Sequence, residues 1–462
     1  MRRPYVKPLV RKLQSGFMNK FGQSPLYARR VCTEIDGVPI SELVDRFGSP
    51  LFVYSERRVR EQWRAAHAAF STRYPNVRFG WSYKTNYLSA ICALMHQEGA
   101  MAELVSRMEY DKACALGVPG DQIVLNGPYK PVETLEAVLA GGGMVNVDHM
   151  DEIQDLERVA EKLGRQVNVG LRLNMDTGIY PQWSRFGLNL ERGQAMEAAK
   201  RIARTGKLNL NGLHCHIGTF ILDPKAYGRQ VEKMVLFAKE LEAAFGSEIE
   251  YLDVGGGFPS RIQLKGTYLS PDVGIPSLDE YAEQITSALW RTLPPGKFPA
   301  LILETGRALI DEAGALITTV WATKRLADGT RAYIVDAGVN LLFTAFWYKF
   351  QVALDRQVPG PNEPCVVYGP LCMNIDAIDE GSLLPPLSRG TRLIFSPVGA
   401  YNNTQWLQFI EYRPNVVLIG TDGQVEVIRE KETLEDLERR EKLPERLKNP
   451  AAKARPQGRK DS

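Results

Sequence analysis

The chain has 462 residues, too many for one small domain, and its 44% hydrophobic content is enough for a sizeable core. A net charge of +3 provides no field for nucleic acid, and no apolar run is long enough for a bilayer-crossing helix. The six cysteines (Cys32, Cys92, Cys114, Cys215, Cys365, Cys372) form no CxxC pair and no regular framework, which points to reduced thiols in a soluble, cytoplasmic protein rather than a disulfide scaffold or zinc site.

Residues 1–36 form a basic arm, with eight Lys and Arg and no acid before Glu34. Residues 37–54 alternate as a strand, a short helix over 40–47 and a second strand over 51–54, a segment expected to pack with a later β domain. A helix is expected over 57–72. From 55 to 309 short apolar strands then alternate with helical patterns, the strands falling at 77–81, 102–105, 123–126, 144–147, 167–173, 208–214, 249–254 and 300–304. Eight such units predict an α/β chain closed as a (β/α)8 TIM barrel, with a doubly wound open sheet as the rival. Beyond 309 the alternation ends. Strands at 316–324, 332–335, 365–368, 391–395, 415–419 and 425–428 predict a mostly β domain over 310–428. Residues 429–462 are densely charged, with a short helix expected over 434–443 and disorder after it.

In a parallel barrel the active site gathers where the strands end. Those ends carry Lys84, Glu103 with Ser106, Asn126, Asp148, Arg172 with Asn174, His216, Gly255-Gly256-Gly257, and Glu304 with Arg307. Asn126 and Asp148 read as turn or cap residues. Lys84 reads either as a solvated charge or as an amine whose burial disfavours the ammonium and leaves a nucleophile. The triple glycine would let backbone N–H groups approach an anionic phosphate, with Arg307 and Thr219 in support. His214 and His216 alternate onto one face, but no third ligand accompanies them, so no metal is assigned. Ser82 lacks a GxSxG context, and no GxxxxGK[ST] is present.

Seven motifs stand in order: Tyr83-Lys84-Thr85-Asn86, Ser184-Arg185-Phe186-Gly187, His214-Cys215-His216-Ile217-Gly218-Thr219, Gly255-Gly256-Gly257-Phe258-Pro259, Glu304-Thr305-Gly306-Arg307, Gly369-Pro370-Leu371-Cys372 and Gly399-Ala400-Tyr401. Together they resemble the fold-type III pyridoxal-phosphate decarboxylases, the diaminopimelate and ornithine decarboxylase family, over roughly residues 37–420. The resemblance implies pyridoxal 5'-phosphate as cofactor, bound in the barrel as an imine on Lys84. It implies His216 stacked on the ring, and Gly255, Gly256, Gly257, Gly306, Arg307, Tyr401 and Thr219 around the phosphate. Glu304 would face the ring nitrogen and keep it protonated, which favours decarboxylation through a quinonoid; racemases of this fold carry an arginine there. Cys372, on a loop with Asp376 that reaches into a neighbouring subunit, would return a proton to Cα, so a homodimer with shared sites is implied.

Three departures concern the substrate. The position after Cys372, acidic in both namesake enzymes, is Met373, and a thioether does not neutralise a distal ammonium. Where diaminopimelate decarboxylases carry Arg-Pro-x-Leu-Tyr, this chain reads Asn340-Leu341-Leu342-Phe343, and Phe343, Phe346, Trp347 and Tyr348 make the region aromatic. These features imply a decarboxylase of a modified amino acid whose distal part is uncharged, bulky or carried on something larger, rather than of plain diaminopimelate, lysine or ornithine. An amino-acid racemase of the same fold is the alternative, and a metal-dependent barrel hydrolase a more distant one.

Overall fold

The computed structural model describes residues 31–267 and 269–448. The arm expected over 1–36 lies outside them as far as residue 30, as does the tail expected over 429–462 from residue 449 onward. Within the described tail the helix is Leu434–Glu438 and does not continue to 443. None of its residues is buried, so it is supported by the Thr433–Asp436 capping box alone.

Strand β1 (Leu51–Ser55) is wholly buried and ends on Ser55, whose hydroxyl accepts from the Arg58 N–H and starts helix Glu56–Ser71. Eight parallel strands follow: β2 (Val77–Ser82), β3 (Met101–Leu104), β4 (Ile123–Leu125), β5 (Met144–Val147), β6 (Val167–Asn174), β7 (Leu208–His214), β8 (Tyr251–Asp253) and β9 (Ala300–Leu303). Strand β7 pairs with both β6 and β8, and β9 pairs with β2. The sheet therefore closes on itself, which overturns the open-sheet rival. Tyr251, Ala300 and Ile302 make a small core of their own. A Cβ added at Gly212 would stand 1.9 Å from the Tyr251 ring, and one at Gly170 2.1 Å from its hydroxyl, so this tyrosine depends on two side-chain-free neighbours.

The second domain is built on β10 (Gly314–Arg325), β11 (Arg331–Val335), β12 (Gln351–Leu354), β13 (Glu363–Tyr368), β14 (Ala377–Leu384), β15 (Arg392–Ser396), β16 (Val416–Ile419) and β17 (Val425–Arg429). Its main sheet runs β14-β13-β11-β10-β1-β16-β17, and β15 joins β10 to β12. Strand β1 pairs antiparallel with β10 and parallel with β16, so a strand that precedes the barrel in sequence lies in the sheet that follows it. Sequence patterning does not indicate β12 or β14. Strand β14, Ala-Ile-Asp-Glu-Gly-Ser-Leu-Leu, pairs only with β13 at one end of the path, where an acidic, glycine-interrupted strand is tolerated.

Candidate active site

Lys84 sits in one turn of 3-10 helix (Tyr83–Thr85) directly after β2. Its Nζ donates to Ser82 Oγ at 2.7 Å and is ion-paired with the Glu103 carboxylate, which Ser82 Oγ also reaches. Glu103 is buried, while 40% of the Lys84 side chain stays open to the mouth, leaving it accessible to a ligand. Burial by itself pushes the Lys84 pKa down, but Glu103, Glu304 and Tyr401 outweigh it and raise it above the ordinary lysine value. Burial alone would favour a neutral amine, but the pocket supplies carboxylates as well as shelter, and these favour the ammonium.

A polar column leads up the barrel to this point. Tyr251 Oη donates to Asn146 Oδ1 at 2.8 Å, and Asn146 Nδ2 donates to Asn126 Oδ1 at 2.9 Å. Asn126 Nδ2 then donates to Glu103 Oε1 at 3.1 Å and to the Glu304 carboxylate. Asp148 accepts from Arg172 Nη1 at 3.1 Å, both residues being buried. Asn126 and Asp148 are therefore not turn or cap residues but interior partners of charged groups, placed there by strand direction. Ser106 is a cap, accepting from the Glu109 N–H, and Asn174 donates to the Trp183 carbonyl.

Glu304, just past β9, meets His214 Nε2 at 3.3 Å. Burial alone would raise its pKa; His214 and Lys84 outweigh that and hold the carboxylate well below its usual range. Asp253 is driven the other way, first by burial and then by Glu304, and it accepts from the Gly255 N–H at 2.9 Å. Ligand atoms of His214, Asp253 and Glu304 lie within 4.8 Å of one another. His214 and His216 thus take different partners and do not form the two-histidine pair weighed from alternation. The His216 Nδ1 accepts from the Gly256 N–H at 3.0 Å, the Trp183 ring stands 5.6 Å from it, and burial followed by Arg172 lowers its pKa to about 3, so the imidazole is neutral.

The glycine run turns against this wall. Gly255 and Gly257 have φ of +69° and +95°, and a Cβ at Gly256 would lie 2.3 Å from the Glu304 carbonyl oxygen. Gly306 packs on Thr85, whose hydroxyl would be 2.0 Å from an added Cβ. The Arg307 guanidinium lies over the rings of Tyr348 (4.4 Å) and Tyr401 (5.0 Å), and its Nη1 donates to Asp311 at 3.3 Å. Thr219 is exposed on the loop after His216.

The residues expected to meet substrate stand in the second domain. Cys372 is exposed and Met373 half-buried on the turn between β13 and β14. Among the described residues, no hydrogen bond or ion pair joins that turn to the Lys84 network. Asp376 is buried, and its two carboxylate oxygens accept from the N–H groups of Val339 (2.7 Å) and Leu371 (2.8 Å), so its side chain holds the turn together. Phe343 is half-buried, with Phe346 and Trp347 edge-on at 5.5 and 5.3 Å. Asp253, Asn146 and Tyr251 escape the sequence reading. The available signal was the Tyr-x-Asp alternation leading into Gly255.

A family model described as "Pyridoxal-dependent decarboxylase, pyridoxal binding domain" matches residues 56–311, and the chain belongs to that family. It is a carboxy-lyase that uses pyridoxal 5'-phosphate. A diaminopimelate decarboxylase of Methanothermobacter thermautotrophicus is 31% identical over 428 residues, 89% of this chain and 96% of that one. One from Actinosynnema pretiosum subsp. auranticum is 32% identical over 426 residues, covering 88% and 92%. The crystal structure of diaminopimelate decarboxylase from M. jannaschii superposes with a TM-score of 0.82 at 30% identity, covering 90% of this chain and 96% of that one. The residues present fit the cofactor. Among the described residues, Arg307 Nε and, against Gly306, Thr85 Oγ1 are buried without a hydrogen-bond partner, and Lys84 is open to the mouth.

Proposed function

We propose that this enzyme decarboxylates an amino acid or amino-acid derivative whose distal part is uncharged and bulky, and that plain diaminopimelate, lysine and ornithine are poor substrates. The observation carrying this reading is the pairing of Met373 beside Cys372 with an aromatic, cation-free Phe343–Trp347 segment. Phe346 and Trp347 are 38% and 49% exposed, and Thr344, between Phe343 and Phe346, is buried with its hydroxyl donating to Asn402 Oδ1 at 2.9 Å. None of these side chains carries a charge that would neutralise a distal ammonium or carboxylate. The diaminopimelate decarboxylase activity of the relatives, and a crystal complex of the M. jannaschii enzyme with L-lysine, speak for those proteins; about 30% identity leaves the distal pocket free to differ.

Lys84 holds the cofactor in this reading, and the bound pyridinium supplies the electron sink for the broken Cα–carboxylate bond. Glu304, whose carboxylate His214 and Lys84 favour in its ionised form against the cost of burial, would keep the ring nitrogen of the bound cofactor protonated. The neutral His216 offers a flat face for stacking. Gly255, Gly256, Gly257, Gly306, Arg307, Thr219 and Tyr401 bind the phosphate. Cys372, exposed on its turn, returns the proton to Cα in a neighbouring copy, so the working unit is a homodimer. Six unpaired cysteines support a cytoplasmic location, and among the described residues no helix is long and apolar enough to cross a membrane. Carbon dioxide release is to be followed from holoenzyme given meso-diaminopimelate, lysine, ornithine and amino acids with uncharged, bulky distal groups. Diaminopimelate turning over as fast as any of the others would defeat the substrate assignment.

A further inference from the structure

The turn that carries Lys84 is held from outside the barrel. Thr404 Oγ1 donates to the Lys84 carbonyl at 2.8 Å, and the Tyr401 N–H donates to the Thr85 carbonyl at 2.8 Å. The next residue, Asn86, donates from Nδ2 to Tyr54 Oη (2.9 Å) and to the Gly399 carbonyl (3.0 Å). Tyr54 Oη in turn donates to Asn403 Oδ1. Every partner in this set belongs to the second sheet or its 399–404 loop, including Tyr54 on β1. A three-residue turn has almost no internal hydrogen bonding, so these contacts decide where its central residue stands.

The same loop is strained. Tyr401 has φ +65°, a left-handed conformation that a residue with a side chain rarely adopts. That conformation lets its N–H reach the Thr85 carbonyl while its ring lies against the Arg307 guanidinium. One short loop is thereby bound to both the lysine turn and the arginine of the anion side.

We propose that the 399–404 loop is a positioning clamp that sets the Lys84 turn and Tyr401 together, with Thr404 as the positioning residue for Lys84. The proposal rests on Lys84 carrying the cofactor, and it makes the second domain part of cofactor attachment as well as of substrate contact. Thr404 acts through the backbone carbonyl of Lys84.

The test compares full-length Thr404→Val, which keeps the shape and loses the donor, with Thr404→Ser, which keeps the donor. Each holoenzyme is measured for the position and pH midpoint of its visible cofactor band, for cofactor lost on gel filtration, and for kcat and KM. Thr404→Val is expected to move the pH midpoint, shed cofactor faster and lower kcat about five- to tenfold with KM little changed, the scale of one hydrogen bond; Thr404→Ser should restore all of these. Tyr54→Phe should shift the band in the same sense, since it releases Asn403. A Thr404→Val band, midpoint and retention equal to wild type would overturn the clamp, and so would a Thr404→Ser protein as impaired as Thr404→Val. Lys84→Ala reports separately: an unchanged band and retained cofactor in that variant would remove the role of Lys84 itself.

Discussion

Lys84 and Glu103 share a charge that the bound cofactor must displace, because an ammonium is no nucleophile. The sign of the shift sets the pH dependence. With its pKa raised, Lys84 loses its proton only at high pH, so uptake of pyridoxal 5'-phosphate by the apo protein should accelerate through the alkaline range. Glu103→Gln should move that profile to lower pH, as followed by the growth of cofactor absorbance. At Glu304, Gln substitution keeps the shape and removes the charge; kcat should fall about 10²–10³-fold, the range seen when one charge-stabilising group is lost. Carbon dioxide release at saturating substrate, with circular dichroism as the control for folding, measures it.

At the scale of an element, helix Arg107–Ala115 shows how a buried acid links the fold to pH. Ser106 caps it, and Glu109 turns back so that its carboxylate accepts from the Val105 N–H at 2.7 Å. Burial raises the Glu109 pKa from 4.5 to about 7, only partly offset by that bond. Between those values the folded state holds a proton that the unfolded chain has released. The stabilisation is therefore complete below pH 4.5 and is lost as pH rises through 7, at most ~3 kcal/mol in all. Thermal unfolding at pH 5.5 and pH 8 should differ more for wild type than for Glu109→Gln, whose amide keeps the acceptor without titrating. At the turn after β9, Gly306→Ala would drive a methyl onto the Thr85 hydroxyl. The expected cost is about 1–3 kcal/mol, read as a lower melting temperature, together with faster cofactor loss.

For the whole molecule, the proposed action of Cys372 in a neighbouring copy can be tested by complementation. Lys84→Ala and Cys372→Ala should each be inactive alone. Mixed and allowed to exchange subunits, they should recover about a quarter of wild-type activity, since half the dimers are hybrid and each hybrid has one intact site. Sedimentation should give a dimer at assay concentrations. If the mixture stays inactive while hybrids demonstrably form, the proton donor lies elsewhere.

Much of this molecule could be read directly from residue order. Short apolar strands alternating with amphipathic helices specify a parallel barrel, because both faces of such strands are buried, and strand direction then places Lys84, His216, Glu304 and Arg307 at one rim. Other features depended on contacts between residues far apart in the chain. Asn126 and Asp148 look like ordinary turn residues until closure aims them at Glu304 and Arg172. Strand β1 precedes the barrel yet pairs with β10 and β16, so Tyr54 reaches Asn86 across a domain boundary that local pattern cannot cross. The charge on Lys84 was likewise decided in three dimensions. Burial, which a sequence suggests, and neighbouring carboxylates, which only the fold assembles, pull its pKa in opposite directions, and the carboxylates prevail, with Glu103 in direct contact with the amine.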